Sequence, residues 1–160
     1  MNREKRVLIA SRTLSLVVAC SLVAACSDAG NDSAAAIADV QASHIEGNAP
    51  ARGDFERLLK RDLTAYFLPN PSEGAEVEYE FLRDGPTQSG VSYPKYYLWV
   101  RVKARGSIRQ EGAVRLAAID RERFEVTDFL SREQISSNPS QIHQVFPGPV
   151  CQRIEEQIRH

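Results

Sequence analysis

The alternation Lys95-Tyr96-Tyr97-Leu98-Trp99-Val100-Arg101-Val102-Lys103 puts Lys95, Tyr97, Trp99, Arg101 and Lys103 on one face of an extended strand. Aromatic bodies set between cations offer stacking, cation-π contact and charge recognition, which suit an acidic protein surface, a glycan or an anionic ligand. Two readings of this stripe stand. Either it faces outward and binds a partner, or Tyr97 and Trp99 pack against other elements while the cations pair with Glu76, Glu78 and Glu80 of an adjacent strand. Asp62 is the second feature that could do chemistry. It lies three residues after Leu59 and four before Tyr66, near the middle of an apolar helical stripe. A buried carboxylate needs a partner or a raised pKa, so Asp62 with Tyr66 is a candidate pocket; a hydrogen-bonded acid at the edge of the contact is the other reading.

Other catalytic signals are weak. His44 precedes the globular part and His160 ends the chain, which leaves His143 as the one histidine inside the domain, with no metal-ligand spacing around it. Cys151 and His143 could make a thiolate pair only across the Pro147-Gly148-Pro149 break. Asp62, Asp120 and Asp128 could make a carboxylate pair only if the fold gathers two of them. Nucleophile-elbow, phosphate-loop and zinc-protease motifs are missing from the chain. No catalytic residue, metal or cofactor is assigned.

The elements that must position these groups are legible from residue 53 onward. Asp54 can cap a helix whose Phe55, Leu58, Leu59, Leu63, Tyr66 and Phe67 recur at spacings of three and four, before Pro69 and Pro71 stop it. Ala75 to Phe81 alternates acidic and apolar residues and predicts a strand with Val77, Tyr79 and Phe81 inward. Lys95 to Lys103 predicts a second strand; after a connection from Gly106 to Gly112, Ala113 to Ile119 predicts a third, and Phe124 to Phe129 a fourth. Connections this short favour an antiparallel meander. Ser131 and Gln134 form a capping box inside a Leu130–Ile135 staple. Pro139 and Pro149 each stand at the start of a further helical segment. Helix, four strands and short C-terminal helices predict a single α+β domain over residues 53–160, its first helix packed on a curved antiparallel sheet. In topology alone, with no shared motif, this resembles the cystatin-like and nuclear-transport-factor-2-like architectures, which host inhibitors, binding modules and a minority of enzymes.

The N-terminus carries a different kind of information. Arg3, Lys5, Arg6 and Arg12 precede the apolar run from Leu14 to Ala25, which at twelve residues falls short of the roughly 20 that span a bilayer. Its end, Leu22-Val23-Ala24-Ala25-Cys26, resembles the lipobox of bacterial lipoproteins, with Val23 where leucine is commonest. The resemblance implies that residues 1–25 are a cleaved signal peptide and that Cys26 is diacylated, becomes the new N-terminus and is acylated again. It also implies, from Ser27 after the cysteine, delivery to the outer membrane of a Gram-negative envelope with the domain facing the periplasm. An ordinary secretory signal with Cys26 as a plain thiol is the other reading.

Removing residues 1–25 from a chain with 20 Lys+Arg and 21 Asp+Glu leaves 16 basic and 20 acidic side chains, which makes nucleic acid a poor partner. Of three cysteines, Cys20 leaves with the signal and Cys26 carries lipid, so Cys151 has no intramolecular partner; beside Val150 and Ile154, it is expected to be buried. Residues 27–52 are rich in Ala, Ser, Asp, Asn and Gly and are expected to be a flexible tether reaching roughly 28 Å. The expected function is that of a lipid-anchored protein whose domain binds another macromolecule in the envelope, as an assembly accessory, inhibitor or immunity-type factor. The alternatives are a small-ligand or catalytic pocket centred on Asp62, and a mainly structural lipoprotein.

Overall fold

Residues 28–70 and 74–160 are described by the computed structural model, with side chains from Ala34 onward. The signal segment and Cys26 lie outside the described residues. Helix α1 spans Asp28–Asn48 and α2 spans Arg52–Phe67; then come strands β1 (Ala75–Phe81), β2 (Lys95–Ala104), β3 (Ser107–Ile119) and β4 (Arg123–Ser131). Helix α3 (Arg132–Ser137), a 3-10 turn (Pro139–Gln141), α4 (Ile142–Val145) and α5 (Gly148–Arg159) complete the chain. The four strands form one antiparallel sheet in the order β1-β2-β3-β4. This is the expected α+β fold.

The sheet is covered on both faces. Helix α2 buries Leu58, Leu59 and Leu63 against Val77, Tyr96, Leu98, Val100, Leu116 and Phe124. Each such leucine stabilises the fold by roughly 1.5–3 kcal/mol through removal of apolar surface from water. Phe55 anchors one end of this layer, with its ring edge-on to Tyr96 at 5.1 Å and to Phe124 at 4.9 Å. The helix starts two residues before the expected cap, at Arg52. The amides of Asp54 and Phe55 reach back to the Ala51 carbonyl, so Asp54 sits in the first turn, pairs with Arg57 at 2.7 Å and complements the positive helix end from within.

The opposite face is closed by α3 to α5, whose Ile135, Ile142, Val150, Cys151 and Ile154 pack with Tyr97, Trp99 and Ala113. The capping box forms as expected: Ser131 Oγ accepts from the Gln134 amide at 3.2 Å, and Gln134 Oε1 accepts from the Ser131 amide at 2.8 Å. Two tight turns join the last three strands. Arg105 and Gly106, both at positive φ, link β2 to β3 as a two-residue hairpin of the kind that matches strand twist. The expected connection from Gly106 to Gly112 is thereby corrected, since β3 already begins at Ser107. Asp120 and Arg121 also take positive φ, at 51° and 62°, without a glycine to ease them.

That second turn is held from outside. The Arg121 amide donates to the Asn48 carbonyl at 2.8 Å, and Arg121 Nε donates to the Glu46 carbonyl at 2.6 Å. The last turn of α1 thus fastens onto the β3–β4 turn, with a cation where the helix end is negative. The expectation of a coil over residues 27–52 is corrected here: Asp28–Asn48 is a helix of 21 residues, about 31 Å long. Ala34, Ala35, Ala36, Ala38 and Ala42 supply the helix propensity that a search for core-forming residues overlooks. Among the described residues no helix is long and apolar enough to cross a membrane.

Candidate binding surfaces

The β2 stripe does not face outward. Trp99 is fully buried and Tyr97 nearly so, because α5 presents Val150, Cys151 and Ile154 as one apolar face and lies across them. Tyr97 also packs edge-on to Phe146 at 6.2 Å, and its hydroxyl pairs with Thr87 Oγ1 at 2.6 Å. The three cations stay at the rim. Arg101 donates to Gln157 Oε1 at 2.9 Å and meets Glu111 at 3.5 Å, and Lys103 meets Glu78 at 2.5 Å. Lys95 is half-buried, and desolvation followed by the nearby Arg115 lowers its pKa. As a continuous aromatic-cation surface, Lys95, Tyr97, Trp99, Arg101 and Lys103 are therefore withdrawn.

Asp62 is used as a clasp. Its Oδ2 accepts from the Phe124 amide at 2.7 Å, and its Oδ1 accepts from Arg61 Nε at 2.7 Å. Arg61 continues to the Glu122 carbonyl at 2.9 Å. The Ala118 amide bonds toward β2, through the Pro94 carbonyl, so its pairing partner Phe124 points its own amide away from β3, at the outer edge of the sheet. Asp62 caps that edge. Tyr66 is 52% exposed and lies against Phe67, at 4.8 Å between ring centres. Both oxygens of Asp62 are engaged and Tyr66 turns to solvent, so the Asp62–Tyr66 pocket is withdrawn as well.

The remaining candidates separate. Asp128 pairs with Arg115, Asp62 with Arg61 and the Phe124 amide, and Asp120 is exposed in the β3–β4 turn, so each of the three carboxyls has its own surroundings. His143 is exposed and reaches Glu155 at 4.0 Å. Cys151 is buried, and its Sγ donates to the carbonyls of Phe146 at 3.3 Å and Ile142 at 3.5 Å. Burial, then the Glu155 charge, pushes the Cys151 thiol up from its ordinary pKa. Native protein at neutral pH should therefore leave Cys151 unmodified by iodoacetamide over times that fully alkylate the urea-unfolded chain. Equal rates in the two states would contradict the burial.

Sequence reasoning missed the polar ties between layers. Glu111 joins Arg101 to Arg132, which donates to it at 2.8 Å and also to the Ile158 carbonyl at the end of α5, again at 2.8 Å. Arg115 joins Asp128 on β4 to the Val145 carbonyl at the end of α4, at 3.0 Å. These arginines neutralise helix C-termini. Their partners lie 13 to 30 residues away, beyond the reach of any local spacing rule.

The two sheet edges differ. The β4 edge carries the Asp62 clasp and a bulge at Thr127, which falls between the partners of Arg115 and Leu116. Strand β1 pairs with β2 alone among the described residues. It shows Glu76, Glu78 and Glu80 exposed on the α5 face; on the α2 face Val77 is buried, Tyr79 half-buried and Phe81 37% exposed. A shallow groove lined by Glu56, Lys60, Val77, Glu78 and Tyr79 runs between α2 and this edge. A second lies between α3 and α5, lined by Ile135, Pro139, Ile142 and Ile158 among others. Compared with protein-family models, with curated proteins and with solved structures, the chain matches none.

Proposed function

We propose that the chain is a lipid-anchored envelope protein of the bacterial outer membrane whose periplasmic domain binds another macromolecule without covalent chemistry. The observation that carries this reading is the placement of α1. Cys26, the lipid acceptor of the lipobox-like segment, is two residues from Asp28, the first residue of α1, and the far end of that helix is fastened to the β3–β4 turn. An acyl chain at Cys26 would thus connect to the domain through about 31 Å of helix. The polar groups most open to a chemical role are committed to holding layers together: Asp62 to β4, Arg115 to α4 and Arg132 to α5. Binding at a membrane surface also suits modest affinity, because tethering raises the effective concentration of the partner.

Cys26→Ala should abolish incorporation of labelled palmitate and move the protein from the membrane fraction to the soluble periplasmic fraction, with its melting curve unchanged. Retention in the outer membrane without label would remove the lipoprotein reading.

A further inference from the structure

We infer that the open edge of β1 is a docking site for an extended segment of a partner protein, one that alternates basic and apolar residues and adds to the sheet as a fifth strand. Docking of this kind deepens the macromolecule-binding reading and rests on it.

The backbone polarity of the edge follows from the hydrogen-bond parity. The Leu82 amide donates to the Tyr97 carbonyl at 3.0 Å, and Lys95 exchanges both its bonds with Thr87 on that same side of β2. Given the register of Glu78 with Arg101 and Glu80 with Trp99, the amides and carbonyls of Glu76, Glu78 and Glu80 point into the sheet. Those of Val77, Tyr79 and Phe81 point outward, and none of them has a backbone partner outside β1 among the described residues. Three successive outward donor-acceptor sets are what strand addition uses.

The side chains specify what can add. Opposed residues in a ladder share a face, so a strand beside β1 meets Val77, Tyr79 and Phe81 on the α2 side and Glu76, Glu78 and Glu80 on the other. Tyr79 and Phe81, 5.9 Å apart between ring centres, continue the aromatic cluster of Phe55 out to the edge and leave apolar surface for the newcomer to cover. The three glutamates meet one lysine, Lys103, and one neutral amide, that of Gln157, which leaves the face in negative excess. The exposed Glu78–Lys103 pair costs little to exchange for another cation.

A second copy of the chain is the wrong occupant. Symmetric antiparallel pairing of two β1 strands keeps their faces, so glutamate falls opposite glutamate, 78 against 78 or 78 against 80. Shifting by one residue sets Val77 and Tyr79 of one copy beside the glutamates of the other. The alternation rejects self-pairing at either parity, as charged edge strands do, and accepts a basic-apolar strand.

The test uses the full-length protein in detergent and a fluorescent synthetic peptide alternating valine with lysine and arginine, read by anisotropy. Binding should weaken several-fold as salt rises past the screening range. With the peptide antiparallel to β1, methylating its amides at the valines, which then face the outward groups of Val77, Tyr79 and Phe81, should weaken binding by roughly tenfold or more; methylating those at the basic residues should leave it intact. Tyr79→Pro removes one outward amide of an edge strand and should have the effect of valine methylation while the protein still melts cooperatively. The peptide methylation pair reports on the edge even where that variant fails to fold. Equal weakening by both methylation sets, or a peptide-free dimer abolished by Tyr79→Pro, would overturn the inference. If the peptide fails while a photo-crosslinker at Ser136 in the α3–α5 groove captures the same envelope protein in every replicate, the edge falls and the macromolecule-binding reading survives. Failure at both sites removes both.

Discussion

Gly112→Ala is expected to cost about 3 kcal/mol or more and to lower the melting temperature by roughly 15 °C, if the protein folds. Gly112 sits in the middle of the sheet, opposite Val100 on β2 and Ser131 on β4. A Cβ there would lie 2.8 Å from Ser131 Cα and 2.9 Å from Phe129 Cε2, and would press on the Leu130 carbonyl oxygen. The β4 backbone cannot step aside cheaply, because Ser131 is the cap of α3 and Leu130 belongs to the core beneath the C-terminal helices. Gly106→Ala is the control. Gly106 has φ 75° with nothing within 4 Å of the added carbon, so its cost is one of dihedral preference alone, about 1 kcal/mol. Urea denaturation followed by circular dichroism compares the two. A Gly112 variant no less stable than the Gly106 variant would show that β4 relaxes freely and that the close approach is not structural.

Gly112 also marks where the sequence stops being informative about the strands. Strand β1 is readable to the residue, because one face meets α2 and the other meets solvent, so its side chains alternate. The first half of β3 is not. Its residues from Ser107 to Gln110 are exposed, and a strand segment with no covered face has no alternation to read, so the stretch before Gly112 resembles a loop. Glu111, the next residue, is half-buried through its pairing with Arg132, a tie that only the folded chain reveals. Helix α1 escapes for a related reason, since Ala34 to Val40 are all exposed and its backbone bonds to the β3–β4 turn come from the end near Asn48. Local periodicity records burial on one side, and elements exposed all round leave no such record.

The candidate site is less legible than the fold, because each residue is located without its partner. Asp62 stands out of place on its helix, and its hydrogen-bonded reading is the geometry the structure has; the Phe124 amide that explains it is 62 residues away. The β2 stripe does carry a local signal against an open surface. From Tyr96 to Val100 five large apolar or aromatic residues run without a break, which fits a strand buried on both faces better than one with an outward aromatic row. The cations at 95, 101 and 103 sit where that run ends, and the structure makes each of them half-buried while the run between is closed.

Trp99 turns that distinction into a measurable difference between neighbours. Trp99→Ala is expected to destabilise the protein by about 3–5 kcal/mol, since it empties the largest fully buried side chain from the layer shared with Ile142, Val150 and Ile154. Arg101→Ala, two residues along the same face, should cost about 1 kcal/mol or less, because its ties to Gln157 and Glu111 lie at the rim. Trp99→Phe should fall between the two and nearer the smaller. Among the described residues the buried indole Nε1 has no hydrogen-bond partner, so removing that donor offsets part of the volume loss. Fluorescence gives an independent reading, because Trp99 is the single tryptophan. Its emission should be blue-shifted and resist iodide quenching in the native protein, and become quenchable through the same urea transition that ends the far-ultraviolet signal. Free quenching before that transition, together with a Trp99→Ala variant as stable as Arg101→Ala, would place the ring outside the core and return the β2 stripe to the surface.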